Sequence, residues 1–254
     1  MDTADYLDSL RANSALAVAA ARRAGVDAPV PTCPDWSVAD LALHLGRVYR
    51  WMSAVVETRA DEFVHFKVAG EPGEGEGPVE WLEAAAGRAL TVLGGTDPDT
   101  PVWNWADGAP APARFWFRRM AHESAIHRAD AEAAAEAAAG RDPAVPTPIE
   151  PAEMASDGID ELVHLLPVRA RAGRLAKLTG SYHFHTTDVP GEWVVDFGGG
   201  GEPAVRREHA KADVAVRGPA SALLLFLYNR RGSDGLEVFG DPEKVAAWTD
   251  QIRF

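Results

Sequence analysis

The chain has 254 residues, 46% hydrophobic and 25% charged, with 38 acidic residues against 25 Lys and Arg and a formal net charge of −13. That is globular composition, long enough for one large domain or two smaller ones, and its acidity argues against phosphate backbones and anionic lipid surfaces as partners. A single cysteine, Cys33, excludes an internal disulfide framework and suits a reducing compartment.

The opening segment, MDTADYLDSL, is acidic and amphipathic rather than basic and then apolar, so it does not read as a signal peptide. No run reaches the ~18 apolar residues of a membrane span. A cytoplasmic protein without nucleic-acid or membrane partners is the expectation. Leu7, Leu10, Ser14, Ala17, Val18 and Ala21 recur at helical spacing over residues 3–24 and stop at Gly25, predicting a first helix. The proline-rich connector VDAPVPTCPDW follows and cannot be helical. Ser37 and Asp40 form a capping-box pattern, so a second helix starts at Val38, with Val38, Leu41, Leu45, Val48, Met52 and Val55 as its apolar stripe. Residues 68–78 read as an acidic glycine-rich loop, 79–93 as a third helix, 96–112 as a loop holding Trp103 and Trp105, and 113–139 as a fourth helix ending at Gly140. Four helices with one long loop before the last predict a bundle, a usual setting for metal sites.

Residues 140–152 carry four prolines and read as a linker. Beyond it the pattern changes to a helix over 151–164 and two period-two stretches, GSYHFHTTD and EWVVDF, turning at Pro190-Gly191 as a hairpin. ADVAVRG is a further strand, ASALLLFLYNRR a buried helix, LEVFG a short edge or closing strand, and 242–252 a terminal helix. The glycine run at 198–201 lacks the residues of a phosphate loop and reads as a turn. The fold class is therefore α plus α+β: a bundle over residues 1–145 and a small α+β domain over 150–254.

The chemistry concentrates in HESAIHRAD, residues 122–130. His122 and His127 are five apart, about 140° around a helix, so this is not the zinc-protease HExxH. Glu123 and His127 are four apart, offset by about 40°, and share a face with Trp116 and Met120; Asp130 continues the stripe. A carboxylate and an imidazole on an apolar stripe call for a partner. An ion pair or a partly exposed face would supply one, and so would a divalent metal. His44, on the edge of the second helix's inward stripe, completes a two-histidine, one-glutamate set that leaves a coordination position open; its alternative role is a hydrogen-bonded core histidine. Asp130 would orient His127, or else is a surface carboxylate. His183 and His185 lie two apart on a strand and could grip a metal, though an exposed hairpin face also explains them. Cys33 reads as a small packed residue rather than a nucleophile.

VPTCPDWSVADLALHLGRVYRW at 30–51 and RMAHESAIHRADAE at 119–132 together resemble the DinB-like metal-binding N-terminal domain of the mycothiol-dependent maleylpyruvate isomerases. GDPEKVAAW near the end is similar to the same family's C-terminal domain. The resemblance implies a DinB-like four-helix bundle, His44, Glu123 and His127 as metal ligands, a divalent ion with zinc foremost, and mycothiol as the thiol cofactor or cosubstrate. It also implies that a basic residue around Arg230 faces the cleft between the domains, with a catalytic and cofactor-binding role. A free thiol has a pKa of about 8.5, and metal coordination favours the nucleophilic thiolate. Addition to an activated double bond, rotation and loss of thiolate give an isomerase; retention of the sulfur gives an S-transferase. A small electrophile and the thiol are then the partners, and nothing in the pattern demands an oligomer, so a monomer suffices. A non-catalytic metal-binding scaffold or regulatory accessory, and a metal-dependent hydrolase, are the alternatives.

Overall fold

A computed structural model describes the chain apart from residues 144, 145, 174, 176, 199–201, 253 and 254. Most of the glycine run at 198–201 and part of the proline-rich linker thus lie outside the described residues. Contacts divide the chain into two compact units, Met1–Thr147 and Pro148–Phe254. Among the described residues no helix is long and apolar enough to cross a membrane.

The first unit is a four-helix bundle of α1 (Thr3–Ala24), α2 (Val38–Glu57), α3 (Pro78–Gly94) and α4 (Arg114–Ala138). Each boundary has a local cause. The Asp2 carboxylate accepts from the Ala4 and Asp5 amides to start α1, and Gly25, at φ 84°, ends it in a conformation that side chains rarely adopt. Ser37 and Asp40 close the expected capping box at α2. In the bundle α1 packs on α3 and α4, and α2 on the same two helices. Ala121, Ala125, Ala129 and Ala133, spaced by four along α4, are all buried; short side chains there let a neighbouring helix approach closely.

Tyr49 rather than Val48 continues the buried stripe of α2, and its hydroxyl lies 2.7 Å from Ser124 Oγ in α4. That buried bond fixes the two helices against each other beside the candidate site. Gly46 has a related duty: a Cβ built there would stand 2.5 Å from the ring of buried Trp81 in α3.

Two segments of this unit differ from the sequence expectation. Phe66–Ala69 is a short 3-10 turn rather than the start of a loop. The 96–112 loop holds a hairpin of β1 (Pro101–Trp103) and β2 (Pro110–Pro112), whose prolines hide a strand signal. Asn104 builds its turn, accepting from the Ala106 and Asp107 amides.

The second unit opens with α5 (Ala152–Arg171), which runs past the end expected at residue 164 and through Pro167. Proline removes one backbone hydrogen bond there, but Leu162, Val163, Leu165 and Leu166 are buried, and that burial outweighs the loss. The sheet contains β3 (Ser181–Thr186), β4 (Glu192–Asp196), β5 (Ala204–Arg206), β6 (Val214–Gly218) and β7 (Glu237–Gly240), in the order β5-β4-β3-β6-β7. All neighbours are antiparallel except β3 with β6. β5 was not expected, being three residues long. Helices α6 (Ala220–Leu227) and α7 (Pro242–Gln251) complete the unit. Tyr182 and Phe184 pack on Trp248 of α7, so His183 and His185, alternating with them, belong to the opposite face.

Asp160 of α5 ties helix to sheet. It accepts from Trp193 Nε1 at 2.9 Å and Arg207 Nε at 2.7 Å, with His164 Nδ1 at 3.3 Å. Burial alone would raise its pKa, but hydrogen bonds from His164, Arg207 and Trp193 outweigh that and hold it far below the usual carboxylate range.

Two outcomes follow for stability. Gly46→Ala, measured by urea unfolding, destabilises by about 1–3 kcal/mol as Trp81 is displaced. Asp160→Ala costs about 1–3 kcal/mol because a buried indole N–H loses its acceptor. A carboxylate with a depressed folded pKa contributes fully above its unfolded value of about 3.9 and loses that contribution as pH falls through the folded value. Because Asp160 also raises the pKa of His164, whose share is fully present only below its unfolded value of about 6.5, the difference between wild type and Asp160→Ala should be largest between about pH 6 and 4 and shrink below that.

Candidate metal centre

Three side chains from two helices converge in the first unit. His44 Nε2 lies 3.2 Å and His127 Nε2 3.3 Å from the same oxygen, Glu123 Oε1. Ligand atoms around a tetrahedral zinc with bonds of about 2.0–2.2 Å stand roughly 3.3 Å apart, so this spacing is what a shared ion requires. The two imidazole rings meet edge to face, with centroids 4.9 Å apart. Side-chain exposure is 35% at His44, 20% at Glu123 and 7% at His127, which makes His44 the open side. His122, by contrast, is buried with its ring edge-on to Tyr6 of α1, as its position on the helix predicts.

The surrounding groups orient two of these side chains, His127 and Glu123, through hydrogen bonds. His127 Nδ1 donates to Asp130 Oδ2 at 2.8 Å, which fixes the tautomer and leaves Nε2 facing Glu123. Asp130 is fully buried, and two side chains of the connector also donate to it: Thr32 Oγ1 at 2.6 Å and Cys33 Sγ at 3.4 Å. On the other side, Arg119 donates to Glu123 Oε2 at 2.9 Å. Burial tends to raise the Glu123 pKa, but hydrogen bonds from His127 and His44 and the charge of Arg119 bring it well below the ordinary value. Burial tends to lower that of His127, yet its bonds to Asp130 and Glu123 carry it up to about 9. At neutral pH a proton therefore competes with any cation for His127.

Arg119 and the connector's part in the site were not anticipated. Trp36 lies against both imidazoles, at 5.0 Å from His44 and, nearly parallel, at 6.3 Å from His127. It is presented by a tight turn in which Asp35 takes φ 70°, a conformation that aspartate tolerates better than most residues. Cys33 is thus more than a packing residue. The CPxW spacing in the sequence was the available signal for this turn.

The second unit places the remaining candidates. Arg230 follows α6, is 5% exposed, and donates through Nη1 to the Tyr228 carbonyl at 2.9 Å. His183 does not lie on an exposed hairpin face: it is 6% exposed, and with Glu192 and His209 it forms a second group of closely spaced ligating atoms.

The family model described as "Mycothiol maleylpyruvate isomerase N-terminal domain" matches residues 7–132, and "MDMPI C-terminal domain" matches residues 153–247. The chain belongs to the mycothiol maleylpyruvate isomerase family. Its fold is also that of a solved structure, "Crystal structure of the mycothiol-dependent maleylpyruvate isomerase", at a TM-score of 0.65 and 14% identity over 94% of this chain and 93% of that one. A histidine-to-alanine mutant of that isomerase aligns with a TM-score of 0.64 and 13% identity, over the same shares of both chains. No curated protein matches the sequence. The matched spans of the two family models contain all three convergent side chains and Arg230.

If Asp130 is what holds the His127 proton, Asp130→Asn should lower the imidazole pKa from about 9 toward the ordinary value of about 6.5 in metal-free protein, read by NMR titration. A titration unchanged by the substitution contradicts that pairing.

Proposed function

We propose that the chain is a metal-dependent enzyme that activates a low-molecular-weight thiol, mycothiol, against an electrophilic small molecule. The reaction is cis–trans isomerisation of the maleylpyruvate kind or the related S-transfer. The observation that carries this reading is the convergence of His44 and His127 on one oxygen of Glu123. Family membership and the shared fold support it.

The donor set suits a divalent ion, zinc foremost: two imidazole nitrogens and a carboxylate oxygen. Among the described residues no fourth ligating side chain joins that group, which leaves room for a non-protein ligand. A bound ion supplies positive charge that favours thiolate over thiol at neutral pH, the form able to add to an activated double bond and leave again after rotation, or to remain attached in S-transfer.

The protein's own groups have distinct parts. Asp130 keeps the proton on His127 Nδ1, so that Nε2 is the nitrogen left to bind an ion once the ion displaces its proton. Arg119 holds Glu123 Oε2, directing Oε1 toward the imidazoles. Trp36 shields one side of both rings from water. His44, the most exposed of the three, marks the side from which thiol and substrate reach the ligands. Arg230 is the basic residue that the family resemblance assigns to binding and catalysis, and its bond to the Tyr228 carbonyl fixes its guanidinium.

Mycothiol added to the zinc-loaded protein should raise its Tm, corresponding to about 2.7 kcal/mol at a hundredfold excess over Kd. His44→Ala should lose both the ion and the shift. No shift at saturating thiol contradicts the proposal and favours a metal-binding scaffold, whereas turnover of an ester without thiol favours a hydrolase.

A further inference from the structure

The second unit carries a cluster that the thiol chemistry does not use. Register pairs His185 of β3 with Glu192 of β4 and His183 with Val194, which sets His183, His185 and Glu192 on one face of the sheet. His209, from the segment between β5 and β6, closes over them, its ring meeting that of His183 at a centroid distance of 5.4 Å and an angle of 87°.

The distances are those of ligands. His209 Nδ1 lies 3.0 Å from Glu192 Oε2, and His183 Nε2 lies 3.8 Å from the same oxygen. The second separation is too long for a hydrogen bond, and His183 Nε2, buried from solvent, has no hydrogen-bond partner. Leaving a buried imidazole nitrogen unsatisfied is costly. An ion bound at about 2.0–2.2 Å from each atom would bridge separations of this size. The other Glu192 oxygen, Oε1, is held by His185 Nε2 at 3.1 Å, which turns Oε2 toward His183 and His209.

We infer that His183, Glu192 and His209 form a second site for a divalent transition-metal ion, with His185 as the positioning residue of its carboxylate. Two imidazoles and one carboxylate select zinc, cobalt, nickel or copper over magnesium or calcium. Two adjacent strands supply a rigid half of the site, and the third ligand comes from an otherwise exposed segment. Metal therefore pins that segment to the sheet. Nothing in this site depends on the thiol or on the ligands in the bundle.

The test uses full-length protein without a histidine tag. In a His44→Ala/Glu123→Gln background, which removes two of the bundle's three candidate ligands, dialysis against zinc should leave one ion per chain by elemental analysis. His209→Ala, at an exposed position, should abolish that ion, and His185→Ala should weaken it by roughly 10–100-fold. In otherwise wild-type protein, His209→Ala should lower the stoichiometry from two ions to one, which checks the result without altering the bundle. A background protein that folds but binds no ion, or a stoichiometry that His209→Ala leaves unchanged in both contexts, overturns the proposal. Because the bundle's ligands are removed separately, failure here leaves the thiol reading standing, and loss of that reading leaves this one.

Discussion

The arrangement of the first unit turns on a carboxylate that is surrounded by donors and does not face water. Asp130 receives His127, Thr32 and Cys33, one from its own helix and two from the connector between the first two helices. A buried anion is tolerated only when donors surround it, so this residue determines where the connector lies as well as which nitrogen of His127 faces the site. The connector in turn brings Trp36 onto both imidazoles. Without that anchor, the convergence on Glu123 would have a loose wall and a ring free to rotate.

A second constraint acts between helices. His44 and Glu123 belong to α2 and α4, whose relative position is fixed close by through Tyr49 and Ser124. Burial raises the Tyr49 pKa, the largest effect, so the phenol stays protonated and available for that bond. Gly46, two residues from His44, removes the one Cβ that Trp81 could not accommodate. Packing against α3 and a hydrogen bond to α4 thus both hold α2, the helix that presents His44, and rigid elements of this kind keep a site's geometry.

Much of this was legible in residue spacing. The extent of the first helix, the capping box at Ser37, the stacking of Glu123 over His127 and the hairpin around Pro190-Gly191 all follow from local periodicity and turn chemistry. What spacing could not reach was set by tertiary contact. Strands of three residues, such as the proline-bearing hairpin and β5, have too little pattern to announce themselves. The helix expected over 151–164 runs on to Arg171 because the apolar burial that carries α5 through Pro167 is invisible locally. Cys33, Thr32 and Arg119 act on residues that the helical-face argument had already chosen, but nothing in the chain's local pattern says which donors meet a distant carboxylate. His183 is the instructive case: alternation placed it beside His185, while Glu192 and the distant His209 came together with it only through the sheet and the segment beyond it.

The proposed chemistry stands on an ion held by His44, Glu123 and His127. Diffraction data collected from zinc-soaked crystals on both sides of the zinc absorption edge would locate it. The expected result is an anomalous peak about 2.0–2.2 Å from His44 Nε2, Glu123 Oε1 and His127 Nε2, with a solvent or thiol ligand completing the shell. No peak between these atoms, or a shell completed by a fourth side chain, would contradict it.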